Sequence, residues 1–320
     1  MNDRCLKTGL LLSFLAVTLA CGDPLVAPEL ITGNRVLAAR VQVATDANSA
    51  WVMPAEAGRV RWLVASPAGP PALSWAFSAC VAETTSRGLP LCAAPAFSQF
   101  TQTAPSTAEP HFDFTMPAQA TLGGATQIAI SGAACESGAP AWGATVGELS
   151  AATCPDGSGR PLLATVEVQA AINGATNANP DFGRVTLLLD NAEWPAWSED
   201  EATADGCANP TLSVPQVAVG GPSHELAFSI PGDMSERLVQ VTERSAARET
   251  LSLAHFVTAG DLERAYSEVD LDVDPATTRV RWTAPETVPV GGEFVRFYLV
   301  LRDGRGGNDF VERALCVVPQ

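Results

Sequence analysis

The sequence predicts an all-β protein made of two antiparallel β-sandwiches behind a cleaved export leader. Three observations carry that expectation. Short segments with alternating apolar and polar residues recur along the chain, long helical patterns are almost absent, and an even set of cysteines remains once the leader is set aside. A period of two marks a strand with one buried and one wet face.

The leader comes first. Arg4 and Lys7 precede an apolar run from Leu10 to Ala20, too short for the roughly 20 residues that cross a bilayer. A charged start, a short apolar middle and a small residue before the cut define a secretory signal over residues 1–20. Thr18-Leu19-Ala20-Cys21 resembles the bacterial lipobox, with Thr18 where Leu is usual. That resemblance implies lipidation of Cys21, and several acyl chains anchor a protein stably where one does not. Residues 21–34, with Asp23-Pro24 and Ala27-Pro28, read as a short tether. Gly22 follows the lipidated position, which favours the outer membrane over retention at the inner one.

The formal charge is −16 and becomes −17 when the leader leaves with two cations and one anion. Lys7 is the only lysine, so every cation of the body is arginine. An acidic body without clustered Lys and Arg argues against nucleic acid and against adhesion to anionic lipid.

Cys5 leaves with the leader and Cys21 takes lipid. Cys80, Cys92, Cys135, Cys154, Cys207 and Cys316 remain, and an even count in an exported chain reads as disulfides. Chain order favours 80–92, 135–154 and 207–316, although six cysteines allow fifteen pairings. A zinc site is the weaker reading, because no C-x-x-C pair occurs and no histidine lies near.

Alternation runs through residues 59–64, 73–79, 165–169, 185–189, 225–230 and 295–301. Gly, Pro, Asn and Asp fill the gaps, as turns require. The best short helical candidates are 197–204 and 260–265. About sixteen strands are expected, enough for two sandwiches. Arg59-Val60-Arg61-Trp62 recurs as Arg279-Val280-Arg281-Trp282, each Trp facing inward on its strand. The expected boundary lies in the Gly- and Pro-rich stretch 136–160, which places domain 1 at 35–155 and domain 2 at 156–320.

The C-terminal third carries a resemblance. Trp282-Thr283-Ala284-Pro285, an aromatic-aliphatic strand at 294–301, Asp303-Gly304-Arg305-Gly306-Gly307 and a last strand look like the closing strands of bacterial Ig-like and PKD-like domains. Asp-Gly and Gly-Gly supply the positive φ of tight hairpins. With Asn177-Ala178-Asn179-Pro180 and residues 255–260, this ending resembles uncharacterised predicted lipoproteins of myxobacteria. The resemblance touches about half the chain, mostly 160–320. It implies Ig-like sandwiches and an envelope location, and brings no catalytic residues.

Chemistry is sparse. No G-x-S-x-G, H-E-x-x-H or P-loop motif occurs. His111 and Asp113 share a strand face. His224 lies between Ser223 and Glu225, and His255 sits in an apolar strand. A hydrolase would build on His111 or His224 with nearby acids. Glu268, Asp270, Asp272 and Asp274 alternate with apolar residues, so all four are expected on one strand face. The last three are the candidate calcium ligands, and a solvated strand face is the plainer reading. Trp62, Trp75 and Trp282 are expected in cores, and Trp51, Trp142, Trp194 and Trp197 at the surface. Trp194 and Trp197, followed by Ser198-Glu199-Asp200-Glu201, could stack on sugar rings. The expectation is a lipid-anchored envelope protein without enzymatic activity or cofactor, serving as a structural or protein-interaction module. Its partners are its membrane and an unidentified envelope protein or polysaccharide. Glycan binding through Trp194 and Trp197 is the alternative, and hydrolysis the second.

Overall fold

The alternating segments fold into strands, with only Leu73 and Val185 just outside theirs. In a computed structural model of the full chain, the structure describes residues 27–83, 91–92, 95–143, 151–155, 157, 159–197, 207, 214–234, 237–238, 247–248, 250–270 and 273–319. Residues 1–20, expected as the leader, Cys21 and Asp272 lie outside the described residues.

The first sandwich pairs two sheets. One holds β1 (Arg35–Val43), β2 (Ala57–Ala65) and β6 (His111–Thr115), with β2 central. The other is built on β3 (Ser74–Glu83), β4 (Leu91–Cys92), β5 (Ser98–Thr101), β7 (Gln127–Cys135) and β8 (Leu162–Gln169). Its order is β4-β3-β7-β8, and β5 also pairs β3. Between the sheets, Trp62 stacks on Phe77 at 4.6 Å and Trp75 on Phe77 at 5.1 Å. Gly132 makes room for that stack, since a Cβ there would lie 2.6 Å from the Phe77 ring.

The second sandwich has two five-stranded sheets. One runs β10-β9-β12-β18-β16, with β9 (Thr186–Leu189), β10 (Ala192–Glu193), β12 (His224–Ile230), β16 (Asp261–Leu262) and β18 (Ala276–Thr283). The other runs β11-β20-β19-β15-β17, with β11 (Gln216–Ala218), β15 (Leu251–Val257), β17 (Tyr266–Val269), β19 (Glu293–Arg302) and β20 (Asn308–Val318). Strand β11 is parallel to β20, and every other pair in these sheets is antiparallel. A ribbon of β13 (Arg237–Leu238) and β14 (Ala247–Arg248) stands apart. Helix α1 (Gln119–Leu122) is a single turn.

Three expectations are corrected. Strand β8 pairs along its whole length with β7, so the first sandwich extends past residue 155 to about residue 170. Alternation places a strand but does not choose its sheet; partner β7 does. The tether to residue 34 is not wholly free, because Glu29 and Ile31 hydrogen-bond Val257 at the end of β15. Ile31 is fully buried, since its side chain has an apolar seam to enter. Residues 260–265 contain strand β16 rather than a helix, with Gly260 at φ 79° breaking any helical start. Of candidate 197–204, only Trp197 is described.

The three disulfides are Cys80–Cys92, Cys135–Cys154 and Cys207–Cys316. Such bonds belong to an oxidising, extracytoplasmic compartment. Among the described residues, no helix is long and apolar enough to cross a membrane.

The sandwiches do not hang on a linker. The outward face of β1 and β2 (Leu37, Ala38, Leu63, Ala65) meets the outward face of β15 and β19 (Ala254, Tyr298, Val300) in a buried apolar layer that includes Ile31. Sheet packs on sheet three times, twice within the sandwiches and once between them.

Candidate functional site

The seam between the sandwiches collects the unusual polar chemistry of the molecule. At one end, the turn after β19 drops Asp303 into the interface, where it is 3 % exposed. Its carboxylate accepts from the backbone N–H groups of Arg305 and Gly307 and from Asn177 Nδ2, at 2.7, 2.9 and 2.7 Å. Burial pushes the Asp303 carboxyl above its ordinary range, and those donors pull it back. Gly307 is required here, since a Cβ would sit 2.8 Å from the Ala178 carbonyl. Asn179 donates to the Val41 carbonyl and accepts from the Asn308 N–H. Asp309 pairs with Arg40 across the seam and accepts from the Phe182 N–H. Trp51 Nε1 donates to the Arg305 carbonyl, and the Arg305 guanidinium lies 4.8 Å from the Trp51 ring centre. The two segments that carried the resemblance, residues 177–180 and 303–307, thus meet in one knot.

Farther along, residues of both sandwiches line an open cleft of about 460 Å³. Its first-sandwich wall includes Leu63, Val64, Pro70, Pro71 and Pro110, and its second-sandwich wall Trp197, Phe310 and Arg313. Glu109 and Glu312 supply carboxylates. Glu109 is paired with Arg61, whose guanidinium lies 6.0 Å from the Phe310 ring centre. Glu312 accepts from Arg296 at 2.8 Å, and Arg296 lies 4.6 Å from the Trp197 ring centre. Burial lowers the Arg313 pKa. An apolar, aromatic-lined cleft of this size with a few charged groups has the character of a binding site.

The sequence-expected residues fall differently. Trp197 is half-buried at the cleft wall, but Trp194 is a core residue, 2 % exposed, with Nε1 donating to the Ala314 carbonyl. It packs edge-on to Phe297 at 5.0 Å and has no ring face for a sugar. Pro195 and Ala196 separate the two indoles, so one enters the core and the other the seam. Trp62, Trp75 and Trp282 are buried as expected, and Trp51 and Trp142 are half-buried.

The acidic run does not form one strand face. Strand β17 ends at Val269, Asp270 lies just beyond it, and the next strand begins at Ala276. Asp274 accepts the Gly232 N–H at 2.9 Å, while Asp270 follows the end of β17, so the two acids do not lie on one strand. Among the described residues, no group of three His, Cys, Asp or Glu side chains is placed to hold a metal.

His111 and Asp113 share the exposed face of β6, but Asp113 is held by Arg59 at 2.8 Å, which lowers its pKa. His224 finds an acid that sequence order hides. Its Nδ1 lies 2.6 Å from Asp190, at the β9–β10 turn. Burial raises the Asp190 pKa, but the hydrogen bonds from His224 and the Glu225 N–H outweigh it and leave the carboxyl lowered. The other ring nitrogen of His224 is buried without a hydrogen-bond partner among the described residues. His255 is fully buried between the sheets, 5.5 Å from the Phe228 ring centre. Burial pushes it down to about 4, with the Arg264 backbone opposing.

No family model matches the chain. No curated protein matches it. A comparison with solved structures aligns the chain with the C-terminal domain of the AgI/II polypeptide BspA of Streptococcus agalactiae, at 8 % identity and a TM-score of 0.18. The alignment covers 88 % of this chain and all of that domain.

Proposed function

We propose that this chain is a lipid-anchored envelope protein without enzymatic activity, whose two fused sandwiches serve as a stiff structural or protein-interaction module. In this reading, residues 1–20 direct export, Cys21 carries the lipid, and the outer membrane holds it. The observation that supports it is the seam. A joint with a buried apolar layer, an Arg40–Asp309 ion pair and an Asp303 knot makes one body of two domains, and stiffness is what a scaffold or an interaction module needs. Disulfides in both sandwiches fit the same compartment.

The test is the intact mass of the protein from its native membrane, with and without reduction and alkylation. The reading expects a chain beginning at Cys21, with acyl mass, that gains six alkyl groups only after reduction. A lipid-free start removes the anchor from the proposal.

A second reading is glycan binding at the seam cleft, favoured by Trp197 on its wall with Glu109 and Glu312 nearby. Envelope polysaccharide would then shift tryptophan fluorescence in the native protein and not in Trp197→Ala.

A further inference from the structure

The point where the chain joins the body decides how the body stands on its membrane. Val257, at the end of β15, donates its N–H to the Glu29 carbonyl at 2.9 Å and accepts from the Ile31 N–H at 2.8 Å. Arg35 closes the approach by donating to the Pro28 carbonyl at 2.6 Å, with its guanidinium 5.7 Å from the Phe256 ring centre. The described contacts that tie the chain to the body begin at about Pro28. Whatever path residues 22–27 take, the seven steps from Cys21 to Pro28 reach at most about 25 Å. As a flexible coil they would average about 15 Å. A compact body of this length is about 50 Å across, so the leash is too short to let it tumble freely over its anchor.

The joining point is on one side of the second sandwich. Strand β15 has β19 on one edge and β17 on the other, and Thr258 donates to the Arg296 carbonyl on the β19 side. Residues 29–31 thus continue the β17 edge. On that edge Tyr266 stands opposite Ala254 and is 65 % exposed, an aromatic of the kind that sits well at a membrane–water interface. The Trp197 cleft is built on β20, beyond β19 from this edge.

We infer that the mature protein rests on its own bilayer by the β17 edge, with Tyr266 at the contact, and that the seam cleft opens away from the membrane. The inference rests on lipidation at Cys21. The leash, rather than charge, sets the posture, because the body is strongly acidic. The cleft then faces partners carried in solution or on another surface, and not the lipids beneath it.

The test uses the full lipidated chain in vesicles of phosphatidylethanolamine and phosphatidylglycerol carrying an acceptor dye on the lipid. Single reporters are attached without reduction at Tyr266→Cys or at Ala196→Cys, an exposed residue of the cleft rim. Energy transfer from position 266 should exceed that from 196 by about twofold or more, because the leash limits the distance on that side alone. Inserting about 20 Gly and Ser residues between Asp23 and Pro24 should bring the two signals together, since such a linker raises the maximum reach to about 95 Å. Equal transfer from both sites in an acylated chain, or stronger transfer from 196, overturns the posture and leaves the anchor intact. A difference that survives the insertion overturns the leash as its cause. A chain without acyl mass overturns the posture and the anchored reading together.

Discussion

The two Arg-Val-Arg-Trp strands occupy matching places in the two sandwiches and yet are held differently. Both lie inside a sheet, β2 between β1 and β6, and β18 between β12 and β16. Both indoles are fully buried, and both arginine pairs face outward to acids on neighbouring segments. Arg59 and Arg61 meet Asp113 and Glu109, while Arg279 meets Glu225 and the Arg281 N–H meets Glu263. The difference is at the ring nitrogen. Trp282 donates to the Ala259 carbonyl at 3.0 Å, whereas Trp62 Nε1 is buried without a partner among the described residues. Trp282 meets Phe297 edge-on, and Trp62 lies flat on Phe77. The same four residues thus serve a hydrogen-bonded core and a purely stacked one, so the repeat specifies a position in a sheet and not a set of contacts.

The contrast extends to the disulfides, which give the largest expected effect. Cys207–Cys316 joins residues 109 apart, and Cys80–Cys92 joins residues 12 apart. If loop closure in the unfolded chain sets their worth, removing them costs about 5 and about 3 kcal/mol respectively. Urea unfolding of the two double-serine variants measures both, and equal losses would rule out that origin.

Next comes the seam that couples the domains. Asp309→Ala leaves the half-buried Arg40 without its carboxylate and the Phe182 N–H without an acceptor, a change that costs about 3 kcal/mol. Calorimetry should show one joint transition in the native protein and two in the variant. A single shifted transition would mean that the apolar layer alone couples the sandwiches.

The third contrast is acid sensitivity, to which the buried His255 contributes in the second sandwich. Its pKa is held near 4, below the ordinary value of 6.5, so the fold favours the neutral ring. The contribution is complete above about pH 6.5 and is lost as pH falls toward 4, in all about 3 kcal/mol. Unfolding midpoints at pH 7 and pH 4.5 should differ less in His255→Phe than in the native protein. An identical pH slope in the variant would assign the loss to other groups.

The smallest effect returns to the repeat. Trp282→Phe strands the Ala259 carbonyl and should cost about 1 kcal/mol more than Trp62→Phe, which gives up no hydrogen bond. Matching losses would place a partner on Trp62 Nε1.

The sequence by itself determined the class of element, the count of cysteines in the body and the inward tryptophans at 62, 75 and 282. Those properties follow from local rules. Side chains on a strand alternate faces whatever the strand pairs with, and Gly, Pro, Asn and Asp turn the chain wherever they fall. Only the tertiary structure decided that β8 belongs to the first sandwich, that the two sandwiches fuse face to face, and that Trp194 enters a core while Trp197 faces a cleft. It likewise brought Asp190 to His224 across 34 residues, Arg40 to Asp309 across 269, and residues 177–180 to the turn after β19. Each of these depends on which surfaces of distant segments meet. Period and spacing along one strand report which of its faces is buried, but not against what.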